Sequence, residues 1–190
     1  KKPIILFLGE REETAHALAE LVAVMNDFDV LDGSEYYFVP RFHPCMKDDV
    51  PLEFALCEEV LSGFKGGVLV RDSSVCTTTE LIASASLVVS MCSTTLAEAS
   101  ILRKPNISLL YPDHGQKVFL RYTNGVMDES PFVSTRCSVK AENREQLIRL
   151  LKDKSWFESQ VLSQEKTFVL DSQNTLRAAG VVMRTMDGRI

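Results

Sequence analysis

The sequence predicts an α/β three-layer sandwich built on a mostly parallel sheet of about six strands. Three observations lead there. Continuous apolar runs such as PIILFLG (3–9) and SLVVSM (86–91) fit strands buried on both faces. Segments with helical spacing of apolar residues follow most of them. Glycine, proline and hydroxyl-rich turns separate the two kinds of segment.

The elements follow in chain order. After PIILFLG, residues 10–28 read as a helix, with Leu18, Leu21, Val22 and Met25 at helical spacing and acidic residues crowding its start. YYFVPRFHP (36–44) reads as a second strand stopped by Pro40 and Pro44, and PLEFALCEEVLSGF (51–64) as a short helix with a glycine stop. GGVLVRD (66–72) is a third strand, and TTTELIASA (77–85) a helix opened by hydroxyl caps. SLVVSM is the fourth strand, followed by a polar turn and the helix of STTLAEASILRKP (93–105). NISLLYP (106–112) is the fifth strand. HGQKVFLRYTNG (114–125) is a loop and helix, stopped by Asn124-Gly125. PFVSTRCSVK (131–140) reads as a sixth strand or extended segment. ENREQLIRLLKD (142–153) is a helix with Leu147, Leu150 and Leu151 on one face, and residues 155–190 read as closing helices.

Bulk properties narrow the class. The 190 residues are 45% hydrophobic and 25% charged, which suits one domain with a real core. The net charge of -5 gives no basic face for nucleic acid, so no nucleic-acid partner is expected. Five widely spaced cysteines form no CxxC pair and no zinc spacing, which reads as reduced thiols of a cytoplasmic protein, with neither metal nor cofactor implied. No apolar run has the ~20 residues that span a bilayer. The chain also lacks GxxxxGK[ST], GxGxxG and GxSxG, which argues against the chemistries those motifs serve.

Parallel sheets of this kind bind ligands beyond the carboxyl ends of their strands, where strand order reverses. In the order 3-2-1-4-5-6 the reversal separates strands one and four. Their following loops, GEREE (9–13) and CSTT (92–95), then face one another. Ser93, Thr94 and Thr95 offer hydroxyls and free N–H groups at a helix start, which suits a phosphate or diphosphate; helix capping by one of them is the competing reading. Glu98, one turn in, can accept from ribose hydroxyls or serve as a solvated surface acid. Arg11 can meet a phosphate from the opposite loop, and His43 in RFHP stands near the same end of the sheet. Asp72, Ser73 and Ser74 after strand three, with Asp113 and Gln116 after strand five, are weaker candidates for a base or sugar. No residue emerges as catalytic.

VVSMCSTTLAEASILRKPNISLL (88–110) resembles the donor-site segment of GT-B nucleotide-sugar enzymes: a strand, a small or hydroxyl turn, a helix with a glutamate, and a proline seven residues after it, here Glu98 and Pro105. LGEREE is similar to the Gly-His-Arg-Arg-Glu turn of UDP-N-acetylglucosamine 2-epimerases, with Glu10 at the histidine and Arg11 at an arginine. RFHP is similar to the His-Pro turn of related transferases.

The resemblance covers about residues 3–112 and implies a Rossmann-like domain. In it Ser93, Thr94 and Thr95 bind the donor diphosphate, and Glu98 the ribose. It implies a nucleotide-sugar donor such as a UDP-sugar as partner. It further implies that residues 1–190 are the C-terminal half of a two-domain chain. The acceptor domain, and any peripheral membrane contact, would belong to the other half. The expected function is donor binding for a glycosyltransferase. The alternatives are a UDP-sugar 2-epimerase-like domain and a non-catalytic Rossmann-like binding module.

Overall fold

A computed structural model describes residues 2–27, 36–67 and 76–171. Five strands form one sheet: β1 (Ile4–Leu8), β2 (Tyr37–Arg41), β3 (Leu87–Ser90), β4 (Asn106–Leu109) and β5 (Val139–Ala141). Their order is β2-β1-β3-β4-β5 and every pairing is parallel. The order reverses between β1 and β3, where the sequence places the crevice. The expected third strand at 66–72 falls largely outside the described residues. Gly67, at its start, accepts the Phe38 N–H on the side of β2 away from β1 (3.3 Å).

Alternation along the strands builds two cores. Ile5 and Phe7 of β1, Phe38 of β2, Leu87 and Val89 of β3, and Ile107 and Leu109 of β4 point to one face. There they pack on α1 (Thr14–Met25), α3 (Pro51–Ser62) and α8 (Arg144–Lys152). Leu6, Leu8, Val39 and Val88 point to the other face, against α4 (Thr78–Ser84) and α5 (Thr95–Ile101). Hydrophobic burial on both faces explains why these strands read as unbroken apolar runs. Helix α4 opens with the expected cap: Thr77 and Glu80 form a reciprocal capping box.

Several boundaries depart from the sequence reading. The acidic residues 10–13 do not start a helix; α1 begins at Thr14, after Glu13 adopts φ 57°. Pro40 does not stop β2, which runs through to Arg41. The Tyr37 N–H bonds to Pro3 and the Arg41 carbonyl takes the Gly9 N–H, so odd-numbered residues serve β1. Phe38 and Pro40 face the other way, and the missing proline N–H costs β1 nothing. A short helix α2 (Met46–Asp49) precedes α3. The segment read as strand or extended at 131–140 splits into a one-turn helix α7 (Pro131–Ser134), whose Pro131 suits a first helical position, and the three-residue β5.

Helix α6 (Gly115–Tyr122) starts hard against β4: a Cβ on Gly115 would stand 1.9 Å from the Leu109 carbonyl oxygen. Helix α9 (Trp156–Thr167) closes the described chain against the amino end of β4. There Gln160 Nε2 donates to the Asn106 carbonyl and Gln160 Oε1 accepts the Asn106 N–H, both at 2.8 Å. Arg103, held at φ 56°, reaches the Gln164 and Phe168 carbonyls.

Candidate functional site

The pairing of β1 with β3 sets their following loops side by side at the carboxyl edge. Glu10 joins them. Its N–H donates to Thr14 Oγ1 (2.7 Å), and the Thr14 hydroxyl donates back to the Glu10 carbonyl (2.9 Å). With its main chain pinned to the start of α1, its side chain turns inward and accepts the Cys92 N–H at 2.8 Å. Glu10 is only 8% exposed. Burial pushes its carboxyl up, against the opposing pull of the Cys92 bonds and of His43. The sequence reading assigns Glu10 no binding role. The available signal is a glutamate directly after the strand-ending glycine, with a hydroxyl four residues on that can tie the turn.

The CSTT loop lies beside this bond. Ser93 and Thr95 are half-buried and Thr94 is exposed. The Ser93 hydroxyl accepts the Thr95 N–H at 3.3 Å, so one hydroxyl does cap, but from one position earlier than the N-cap Thr94, whose side chain makes no cap bond. The Thr95 hydroxyl is buried without a partner. Among the described residues nothing accepts the Ser93 or Thr94 N–H. Spare donors therefore gather on one loop. Glu98 stands one turn further, half-buried, accepting from the Thr79 hydroxyl at 3.2 Å.

The remaining candidates are dispersed around this centre. Arg11 is turned toward α2, where it pairs with Asp49 at 2.6 Å. His43 is exposed; its Nδ1 accepts the Cys45 N–H at 3.3 Å, and its charge is felt at Glu10. Asp113 is exposed, and Gln116 donates to the Asp128 carbonyl at 3.3 Å. Asp72, Ser73 and Ser74 lie outside the described residues. Burial, with Glu10 beside it, pushes the Cys92 thiol up, which does not suit a nucleophile. Among the described residues no group of three or more histidine, cysteine, aspartate or glutamate side chains is placed to hold a metal.

Helix α6 forms a wall of the crevice. Lys117 pairs with Glu13 at 3.4 Å and Arg121 pairs with Glu12, so the helix is tied to the loop after β1. At its base His114 is buried; its Nδ1 accepts the Gly115 N–H at 2.8 Å, and its ring stacks on Tyr111 with centroids 4.9 Å apart. The sequence reading gives His114 no role.

No family model matches the sequence, and no curated protein matches it. Solved structures do match. The UDP-GlcNAc 2-epimerase of Neisseria meningitidis, bound to UDP-GlcNAc, superposes with a TM-score of 0.61 at 13% identity, over 97% of this chain and 44% of that one. The wall teichoic acid polymerase TagF superposes with a TM-score of 0.57 at 14% identity, over 100% of this chain and 45% of that one. What is shared is the Rossmann-like α/β fold, a parallel sheet flanked by helices. S. aureus MnaA in complex with UDP gives a TM-score of 0.54 at 14% identity, over 86% of this chain and 39% of that one. At these identities the likeness concerns the fold, and the chain spans less than half the length of each of these proteins. Among the described residues no helix is long and apolar enough to cross a membrane.

Proposed function

We propose that this chain is the nucleotide-sugar-binding domain of a GT-B glycosyltransferase, which moves a sugar from a nucleoside diphosphate to an acceptor hydroxyl. The observation that carries this reading is the surplus of donors on the loop after β3, at the point where strand order reverses. Among the described residues the Ser93 and Thr94 N–H groups and the Thr95 hydroxyl have no acceptor. They suit the oxygens of a diphosphate, whose charge grows as the sugar departs; donors fixed in advance stabilise that charge. Glu98, one turn along, takes the ribose hydroxyls. His43 borders the same edge as part of the diphosphate site, and Arg11 joins it only by exchanging its Asp49 partner for phosphate. Asp113 and Gln116, with Asp72, Ser73 and Ser74, are assigned to base or sugar. A preceding domain brings the acceptor, and the site works in the cytoplasm.

The likeness to the UDP-GlcNAc 2-epimerase of Neisseria meningitidis supports a second reading, a UDP-sugar 2-epimerase-like domain. Glu10 stands at the histidine of the epimerase turn, which favours the transferase reading.

Thermal unfolding with UDP- and CDP-sugars tests nucleotide binding. At about 100 times Kd a ligand adds about 2.7 kcal/mol, or roughly 5–10 °C for a chain of this size. Glu98→Ala is expected to remove most of that shift. No shift with any nucleotide supports the non-catalytic module instead, and a shift untouched by Glu98→Ala removes the ribose assignment.

A further inference from the structure

Glu10 is a buried carboxylate beside a loop read as the seat of a dianion, and that juxtaposition needs an account. The carboxylate is fixed in place: its main chain is tied to Thr14, and one oxygen holds the Cys92 N–H. Cys92 is the first residue of the loop that offers Ser93, Thr94 and Thr95. The titratable and charged groups that face this carboxylate come from each surrounding element. They are His43 from the turn after β2, the Cys92 thiol after β3 and Tyr122 of α6, the last of which also feels Arg11 and Glu12 of the Glu10 loop. The cation nearest in sequence is already committed, since Arg11 pairs with Asp49.

Resting on the nucleotide-sugar reading of this crevice, we propose that Glu10 makes diphosphate binding proton-linked. As the diphosphate enters, the Glu10 carboxylate takes one proton from solvent. One oxygen keeps the Cys92 N–H, and the other becomes a hydroxyl donor to a phosphate oxygen. A neutral carboxylic acid has this combination, one O–H donor with acceptor capacity left over, whereas a carboxylate only accepts. An anion beside a carboxylate favours its protonated form. Burial of Glu10 already works in the same direction. Glu10 thereby becomes a specificity residue for the charged part of the ligand.

Titration calorimetry with UDP-N-acetylglucosamine, whose two phosphates carry no proton that titrates near neutrality, tests this. Heats measured in two buffers of different ionisation enthalpy give the protons exchanged on binding. The wild-type chain is expected to take up close to one proton per nucleotide, with affinity falling about tenfold per pH unit within the linkage window. Glu10→Gln keeps an acceptor for the Cys92 N–H. It is expected to bind with no proton uptake, with pH-independent affinity, and more tightly than wild type at the alkaline end. His43→Ala, which removes a residue of the proposed diphosphate site, is expected to weaken binding but to retain the uptake per nucleotide bound. Binding without proton uptake in the wild type overturns the proposal, as does uptake that survives Glu10→Gln or vanishes in His43→Ala. If Glu10→Gln does not fold, the wild-type and His43→Ala measurements decide. Failure of UDP-N-acetylglucosamine, UDP-glucose and CDP-glycerol to bind at any pH overturns the nucleotide reading, and this proposal with it. That outcome is distinct from binding that moves no proton.

Discussion

Two buried polar clusters lie at opposite ends of the sheet, and they differ in what they leave unused. At the amino end, Ser100, Arg103, Asn106, Gln160 and Gln164 bind each other and nearby carbonyls, including that of Cys137. Among the described residues, the side-chain atoms left over in this group are acceptors, Asn106 Oδ1 and Gln164 Oε1, with the buried Ser138 hydroxyl also unpartnered beside them. At the carboxyl end, the atoms left over around Glu10 and the CSTT loop are donors. An anion needs spare donors, so the second cluster suits a ligand while the first fastens α9 to the sheet. Burial and polarity are similar in the two; what differs is that the first is spent on holding α9, while the second leaves main-chain N–H groups unused among the described residues.

This contrast can be broken or sharpened by experiment. The largest expected effect is at the amino end. Gln160→Ala strands both main-chain groups of Asn106 and is expected to cost about 2–3 kcal/mol in urea unfolding. The same variant should leave nucleotide affinity unchanged; a loss of affinity without a loss of stability removes the distinction between the clusters.

A smaller effect is expected at the base of α6. Burial lowers the proton affinity of His114 in the fold below its ordinary value of 6.5. Below that pH the unfolded chain binds the extra proton more readily. Stability should therefore be fully present above about pH 6.5 and decline as the pH falls toward the folded value. His114→Asn, which keeps an acceptor for the Gly115 N–H, should flatten that decline in melting curves recorded from pH ~5 to ~8.

The smallest change in stability is expected at Thr95. Thr95→Val removes a buried hydroxyl that has no partner, so stability should stay within ~1 kcal/mol of wild type. Nucleotide-induced stabilisation should nonetheless fall. If Thr95→Val instead destabilises the fold and spares binding, its hydroxyl belongs with the fastenings.

The legible parts of the fold were those written in local chemistry. Unbroken apolar runs marked β1, β3 and β4, and Thr77 with Glu80 marked the start of α4. Parallel order and the reversal at β1 followed from the alternation of elements. What stayed hidden depended on partners distant in sequence. Glu10 reads as one acid among three until Cys92, 82 residues away, supplies its N–H. Pro40 reads as a stop until the hydrogen-bonding side of β2 is known. The 131–140 segment hides a helical turn because Phe132, Val133 and Val139 have strand character while Ser130-Pro131 carries the helix start. Of the candidate site, the nearness of the hydroxyl loop to Glu98 was legible, because spacing alone places them within one helical turn. The direction of Arg11 was not, since Asp49 lies 38 residues away.

The ties from Lys117 and Arg121 to Glu13 and Glu12 lie at the surface, where each such pair contributes roughly 0–1 kcal/mol and is screened within about 10 Å at 0.1 M salt. The hold of Glu10 on Cys92 is buried and escapes that screening. Ionic strength therefore acts unequally on the two walls: it loosens α6 while the floor between β1 and β3 keeps its shape. Salt therefore tunes how tightly α6 is tied to the loop after β1, while its buried Val118 and Phe119 keep the helix on the sheet.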